Sequence, residues 1–255
     1  ERIAAAGFHE IVLTGIHLGA YGIDLPGRPT LADACRTALS LPELRRLRLG
    51  SLESVELSND LLELIRTEPR FAAHLHLPLQ AGSDGVLTAM NRHYDTAAFA
   101  RLIEDVRRAV PGVAVSTDII VGFPGETEME FEKTYDFLLE LKPSYLHVFP
   151  YSSRPGTLAA RMPGKVPSEL KRVYARRLAA LSEELHTAYC ERFAGAVRPV
   201  LVEHVGRNGM GQGLTDNYIR AEFPIADGNR GRIAQVRLGG HLRNGIMKGE
   251  VVDPC

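Results

Sequence analysis

The stretch richest in chemistry is Ser116-Thr117-Asp118-Ile119-Ile120-Val121-Gly122-Phe123-Pro124-Gly125-Glu126-Thr127. An apolar run carrying one carboxylate ends in a turn of two glycines and a proline. A helical spacing follows at Phe131, Tyr135, Leu138 and Leu141. The glycines let the backbone approach another group closely, and the proline fixes the turn. The free N–H groups that open the next helix favour a polar or anionic group. Two readings stay open. One is an ordinary strand–turn–helix corner, in which Glu126 only stabilises the first helical turn. The other is one wall of a ligand pocket. Polar exits of the same kind occur at Thr14-Gly15, Ser51-Leu52-Glu53, Gln80-Ala81-Gly82-Ser83 and Pro150-Tyr151-Ser152. Their amide, hydroxyls and flexible backbone suit hydrogen bonds to ribose-like hydroxyls or an amino-acid group. Together they describe strand ends meeting at one ligand.

The other candidate groups are weaker. His74 and His76 lie two apart and share a strand face. His17 and His147 stand alone. A metal site needs a further ligand that the spacing does not place, so these are read as packed, hydrogen-bonded histidines and no metal ligand is assigned. Cys35, Cys190 and Cys255 form no CxxC pair and no disulfide framework, and read as buried or incidental thiols.

Elements must carry these residues to one place. His9 to Gly15 reads as a buried strand with a polar exit, followed by a glycine-containing loop to Gly22 and a helix that Thr30 caps, to Ser40. Leu44 to Gly50 alternates apolar and basic residues, a strand pattern. Ser58 caps a short helix to Thr67. His74 to Gln80 is the next strand, and a helix from Thr96 carries Phe99, Leu102, Ile103, Val106 and Val110 on one stripe. Val113 to Val121 is the central strand and Ser144 to Phe149 the next. The strand–helix alternation repeats every 30 to 40 residues, roughly the size of a βα unit, which points to a parallel sheet closed or half-closed as a barrel, with ligands at the C-terminal strand ends. A long helix runs from Ser168 to Arg192, where Arg172, Arg176 and Arg177 read as a solvated face. After it the texture changes. Val197 to His204, Asn217 to Phe223, Arg232 to Leu238 and Gly249 to Val252 read as short strands of a small β-barrel or sandwich, with Gly206 to Gly213 a glycine-rich turn.

Composition bounds the function. The chain has 255 residues, 45% of them hydrophobic, and a net charge of −1. No apolar run approaches the roughly 20 residues of a membrane span, and no secretory signal is seen, so a cytoplasmic setting is expected. Residues 193–255 hold eight Lys/Arg against six Asp/Glu, including Arg220, Arg230, Arg232, Arg237, Arg243 and Lys248. A small β-barrel with arginines and exposed aromatics is a frequent nucleic-acid platform. A barrel enzyme acting on a phosphorylated metabolite is a rival reading.

Long ordered motifs carry a resemblance. They are Glu10 to Gly22, Arg46 to Glu53, His74 to Ser83, Met90-Asn91-Arg92, Thr117 to Thr127 and Tyr145 to Thr157. Together they resemble the radical SAM methylthiotransferase family, and Leu214 to Tyr218 in a short β module is similar to the family's closing TRAM domain. The His17 to Gly22 loop and the Tyr145 to Ser152 run are most similar to the branch that adds a methylthio group to carbon 2 of threonylcarbamoyl-adenosine beside the tRNA anticodon. Branches acting on isopentenyl-adenosine or on a ribosomal protein are near alternatives, as is a non-catalytic tRNA-binding fragment.

The resemblance implies an α/β fold: a partial (βα) TIM-like radical SAM barrel over residues 1–192, then an OB-like all-β TRAM barrel over 193–255. It implies S-adenosyl-L-methionine and [4Fe-4S] clusters as cofactors, and the tRNA anticodon stem-loop as partner with the TRAM domain contributing. The residues it places near S-adenosylmethionine are Thr14, Gly15, Ser51, Glu53, Gln80, Ser83, Asp118, Gly122, Phe149 and Tyr151; no catalytic residue is assigned. The sequence departs from the family in lacking CxxxCxxC and the N-terminal sulfur-cluster domain, and lesser departures fall at Ser54 and Ala81. A C-terminal fragment is therefore expected, inactive alone, with an unpaired sheet edge that lowers solubility.

Overall fold

A computed structural model describes residues 2–226, 228–243 and 245–253. Expectations for Cys255 and for the Arg243 side chain lie outside the described residues. The chain divides into two compact units. One comprises residues 1–75, 109–114 and 187–255, the other 76–108 and 115–186.

In the first unit, helix α1 (Arg2–Ala5) leads to strand β1 (Glu10–Leu13), which pairs in parallel with β2 (Arg46–Leu49). Helix α2 (Leu31–Leu39) joins them and starts on a capping box, Thr30 and Asp33 each satisfying the other's backbone N–H. Helix α3 (Asn59–Thr67) starts on Ser58. The strand read as buried at residues 9–15 is not: among the described residues β1 pairs with β2 alone, and Val12 is 49% exposed. β2 reverses the usual meaning of an alternating pattern, since Arg46 and Arg48 are buried along with Leu47 and Leu49.

The same unit holds a closed barrel of five strands: β6 (Val197–Val205), β7 (Met210–Thr215), β8 (Arg220–Pro224), β9 (Ile233–Arg243) and β10 (Ile246–Asp253), ordered β10-β8-β7-β6-β9. All pairings are antiparallel except β10 with β8, and β9 closes the ring against β10. Val200, Val202, Ala221, Phe223, Ala234, Val236 and Met247 fill its interior. Closure explains the apolar-in, polar-out alternation, because it leaves no sheet edge. The glycine-rich turn is shorter than its composition suggests. Gly211 and Gly213 lie within β7, where a Cβ on Gly213 would strike the Leu201 carbonyl of β6.

β3 (His74–His76), whose His76 opens the second unit, continues as an extended segment to Gln80, and lies in one sheet with β4 (Ala114–Val121, in this unit from Val115) and β5 (Tyr145–Pro150) in the order β3-β4-β5. β4 and β5 are parallel with Asp118 opposite His147. Leu77 N–H donates to Ser116 at 2.9 Å, and Gln80 bridges Ile119. Helices α4 (Asp84–Ala89), α5 (Thr96–Ala109), α6 (Glu128–Leu141), α7 (Leu158–Arg161) and α8 (Ser168–Glu191) follow the strands. Phe99, Ile103, Phe131, Leu138, Leu146, Leu178 and Leu181 are buried here, with Phe131 stacked on Tyr174 at 3.8 Å. On α8, Arg177 is more than a solvated side chain: it forms an ion pair with Glu132 and lies over the rings of Phe131 and Tyr135.

Candidate functional site

The C-terminal ends of β4 and β5 open onto a cavity of about 490 Å³. Asp118 and Ile120, two apart on β4, share one face of that wall, as strand periodicity requires. Gln80, Phe149, Tyr151, Ser152, Arg154 and Thr157 complete most of the lining. Gln80 is held there at a backbone cost. Its φ is +75°, a left-handed conformation disfavoured by roughly 1–2 kcal/mol for a side chain with a Cβ. Two backbone bonds hold it, its N–H to Asp118 and its carbonyl from Ile120 N–H, each 2.8 Å. Strain of this kind collects at ligand sites, where surrounding structure over-determines it.

Tyr151 is fixed from three sides. Its N–H donates to Val121 O at 2.8 Å, Lys171 Nζ donates to its carbonyl at 3.0 Å and lies 5.2 Å from its ring centre, and Phe123 meets the ring edge-on at 5.3 Å. Its hydroxyl is buried without a hydrogen-bond partner, a state that proteins seldom tolerate. The cavity wall therefore offers an amide and a carboxylate beside the half-exposed Phe149 ring, while the Tyr151 hydroxyl itself is buried.

Beside the cavity three ionisable groups converge. His76 Nε2 lies 3.2 Å from Asp118 Oδ1, His76 Nδ1 lies 2.9 Å from Ser116 Oγ, and the His147 ring meets that of His76 at 5.2 Å. Burial, and then the neighbouring His76, hold the His147 imidazole below its ordinary pKa, against the pull of Asp118. The histidines that spacing left ambiguous thus separate. His76 and His147 join Asp118, whereas His74 stacks on Tyr218 at 4.0 Å in the other unit. Register is the missing information: residues 42 and 71 positions apart become neighbours only when the strands pair.

Other expected site residues have different surroundings. Ser83 is buried and donates to the Glu130 carboxylate instead of lining the cavity, and Gly82 packs on α6, where a Cβ would sit 2.9 Å from Thr134 Cα. The segment read as a flexible exit is a packed one. Gly122, with φ +76°, gives its N–H to the buried Glu126 carboxylate, which folds back across the turn. Glu126 is therefore a pin within the loop and not a first-turn helix stabiliser; α6 is capped by Thr127, which accepts from Glu130 N–H at 3.3 Å. Glu128 and Glu130 occupy the first turn, which disfavours the anionic ligand suggested for this helix start. Desolvation raises the Glu126 pKa from 4.5 to about 7, opposed by the Gly122 bond and assisted by Glu130.

In the first unit, Thr14, Gly15, Ser51 and Glu53 leave the adjacent C-terminal ends of β1 and β2, in register at Leu13 and Leu49. Thr14, Gly15 and Ser51 are exposed, and Glu53 caps a short 3₁₀ turn without a side-chain cap bond. This unit also holds a second cavity of about 490 Å³ lined by His9, Arg45, Arg46, Pro199, Asp216 and Arg232. Cys35 and Cys190 are buried thiols outside any disulfide, and burial pushes their pKa values to about 11 and about 12.

Parallel strands with functional groups at their C-terminal ends define an α/β ligand-binding fold. Residues 2–138 match the model of the Radical SAM superfamily, and the chain belongs to that superfamily. It is 38% identical over 242 residues to the threonylcarbamoyladenosine tRNA methylthiotransferase MtaB of Bacillus subtilis, covering 93% of this chain and 54% of that protein. It is also 38% identical over 241 residues to the tRNA-2-methylthio-N(6)-dimethylallyladenosine synthase of Syntrophotalea carbinolica, covering 93% and 55%. The chain spans about half the length of the curated relatives it matches. Among solved structures, the radical SAM enzyme coproporphyrinogen III oxidase from Escherichia coli shares the fold, with TM-score 0.52, 18% identity, and coverage of 91% of this chain and 55% of that one. No helix among the described residues is long and apolar enough to cross a membrane.

Proposed function

We propose that this chain forms part of a cytoplasmic tRNA methylthiotransferase that adds a methylthio group to carbon 2 of threonylcarbamoyl-adenosine beside the anticodon. Its 38% identity to the Bacillus subtilis enzyme, over nearly the whole chain, supports the substrate class. In this reading residues 1–192 belong to a partial radical SAM barrel and 193–255 form a TRAM module.

The observation that carries the reading is the cavity of the second unit. The Gln80 amide and the Asp118 carboxylate on its wall, with the Phe149 and Tyr151 residues beside them, suit S-adenosylmethionine, whose ribose and amino-acid ends need such hydrogen-bond partners. Gln80, Asp118, Phe149 and Tyr151 would hold it there, with Phe149 against its adenine. Gly122 and Ser83 support this wall through Glu126 and Glu130. Bound S-adenosylmethionine supplies the methyl group and the 5′-deoxyadenosyl group of the family's reaction. The cysteines do not fit a [4Fe-4S] cluster: the sequence has only three, none spaced as CxxxCxxC, and Cys35 and Cys190 are buried thiols. No chemical step is assigned to a cluster held by these residues.

Mass spectrometry of tRNA from a strain lacking the gene tests the reading. Loss of 2-methylthio-threonylcarbamoyl-adenosine is expected. Loss of the dimethylallyl derivative instead would move the protein to the second branch, to which it is equally identical. An unchanged tRNA profile would overturn the proposal.

A further inference from the structure

We propose that His76, Asp118 and His147 form a binding site for a divalent metal ion of the zinc class. The three residues come from neighbouring strands, and Asp118 and His147 are paired in register. One donor atom from each lies within 4.8 Å of the other two, and all three side chains are half-buried. Zinc–ligand bonds of about 2.0–2.2 Å place donors roughly 3–4 Å apart around a tetrahedral ion. His76 Nε2 and Asp118 Oδ1 already stand at 3.2 Å, so small rotations of the side chains complete the site.

The surroundings support a ligand role. Ser116 Oγ, 2.9 Å from His76 Nδ1, can accept its N–H, which leaves the Nε2 lone pair directed at the carboxylate. In that tautomer two acceptors face each other, and a cation between them removes the repulsion. The other tautomer, with Nε2–H donating to Asp118, makes an ordinary hydrogen bond and needs no ion; the two states give opposite results below. Tyr145 packs edge-on against His147 at 4.9 Å and limits its rotation. Asp118 also lines the cavity of about 490 Å³, which gives an ion a route in and leaves a fourth coordination position for a water or an oxygen of a bound ligand. Two imidazoles and one carboxylate select zinc, cobalt, nickel or ferrous iron over magnesium and calcium, which prefer all-oxygen sites. The inference needs neither S-adenosylmethionine nor tRNA, so it stands or falls apart from the proposed function.

The test is titration of the metal-stripped 255-residue chain with Zn²⁺ by calorimetry and with Co²⁺ by absorption. One ion per chain is expected, with cobalt ligand-field bands and no thiolate-to-cobalt charge-transfer band. Asp118→Asn and His147→Asn should each weaken binding by at least about tenfold, and His204→Asn, an exposed histidine in the other unit, should leave it unchanged. Circular dichroism of each variant without metal checks its fold, and where a variant fails to fold the cobalt spectrum of the unsubstituted chain decides the donor type. Absence of stoichiometric binding, a thiolate band, or binding that survives both substitutions would overturn the site.

Discussion

Glu126 shows how a residue's neighbours override its sequence position. Next to a helix start it reads as a dipole partner, yet it is buried and bonded to Gly122 N–H, with its pKa raised from 4.5 to about 7. The folded chain therefore holds a proton that the unfolded chain releases. The resulting stability is complete below pH 4.5 and is lost as pH rises through about 7. Glu126→Gln keeps an acceptor but cannot ionise. Across that window the variant should gain up to roughly 3 kcal/mol relative to the parent, measured by urea unfolding at a series of pH values. Gln80 makes the complementary case. Gln80→Gly relieves its positive φ and should stabilise the fold by about 1 kcal/mol, while equilibrium dialysis shows weaker S-adenosylmethionine binding. A variant both less stable and unchanged in binding would remove the strained-ligand reading of this residue.

Among the elements, β2 is the most instructive. Its Arg-Leu-Arg-Leu pattern was legible as a strand, but alternation ordinarily marks one wet face, and here there is none. Glu10 of β1 pairs with both guanidiniums. Arg46 also donates to the Pro199 and Leu214 carbonyls at 3.1 Å each, and Arg48 to Thr215 at 3.0 Å and Asp216 at 3.3 Å. The arginine stems and forks thus tie β2 to the barrel strands of the same unit, and Arg48 lies 5.0 Å from the Tyr218 ring centre. Removing the carboxylate leaves two buried charges uncompensated, so Glu10→Ala should lower stability by roughly 3–5 kcal/mol, read as a shift in the unfolding midpoint. Adding Arg48→Met should recover part of that loss. The caps at Thr30 and Ser58 were readable for a local reason, since each satisfies an N–H within a few residues of itself, whereas the Thr127 cap emerged only from the structure. The carbonyl partners of these arginines lie more than 150 positions away, and Glu10 more than 30, beyond any pattern in a local window.

At the scale of the whole molecule, the net charge of −1 conceals a local cationic surface. Arg45 and Arg232 are exposed on the cavity they share with His9. If tRNA is the partner, replacing both by alanine should weaken its binding and flatten the slope of log affinity against log salt by about 2, since each phosphate contact contributes roughly one; filter binding at several salt concentrations measures it. An unchanged slope would place the RNA elsewhere. The sequence alone determined the order of strands and helices, the caps at Thr30 and Ser58, the all-β texture after residue 193 and the superfamily, because each rests on short-range periodicity or on long contiguous motifs. Tertiary structure decided what those elements hold. Strand pairing put Asp118 between His76 and His147 and gathered Gln80, Phe149 and Tyr151 around one cavity. Packing turned Ser83 and Gly122 toward glutamates, and ring closure made a barrel of the last five strands. The stretch from Ser116 to Thr127 divides accordingly: Asp118 lines the cavity, while in the turn Gly122 N–H bonds Glu126, Glu126 N–H bonds Phe123 and Gly125 N–H reaches the Gly164 carbonyl, so these backbone donors are paired.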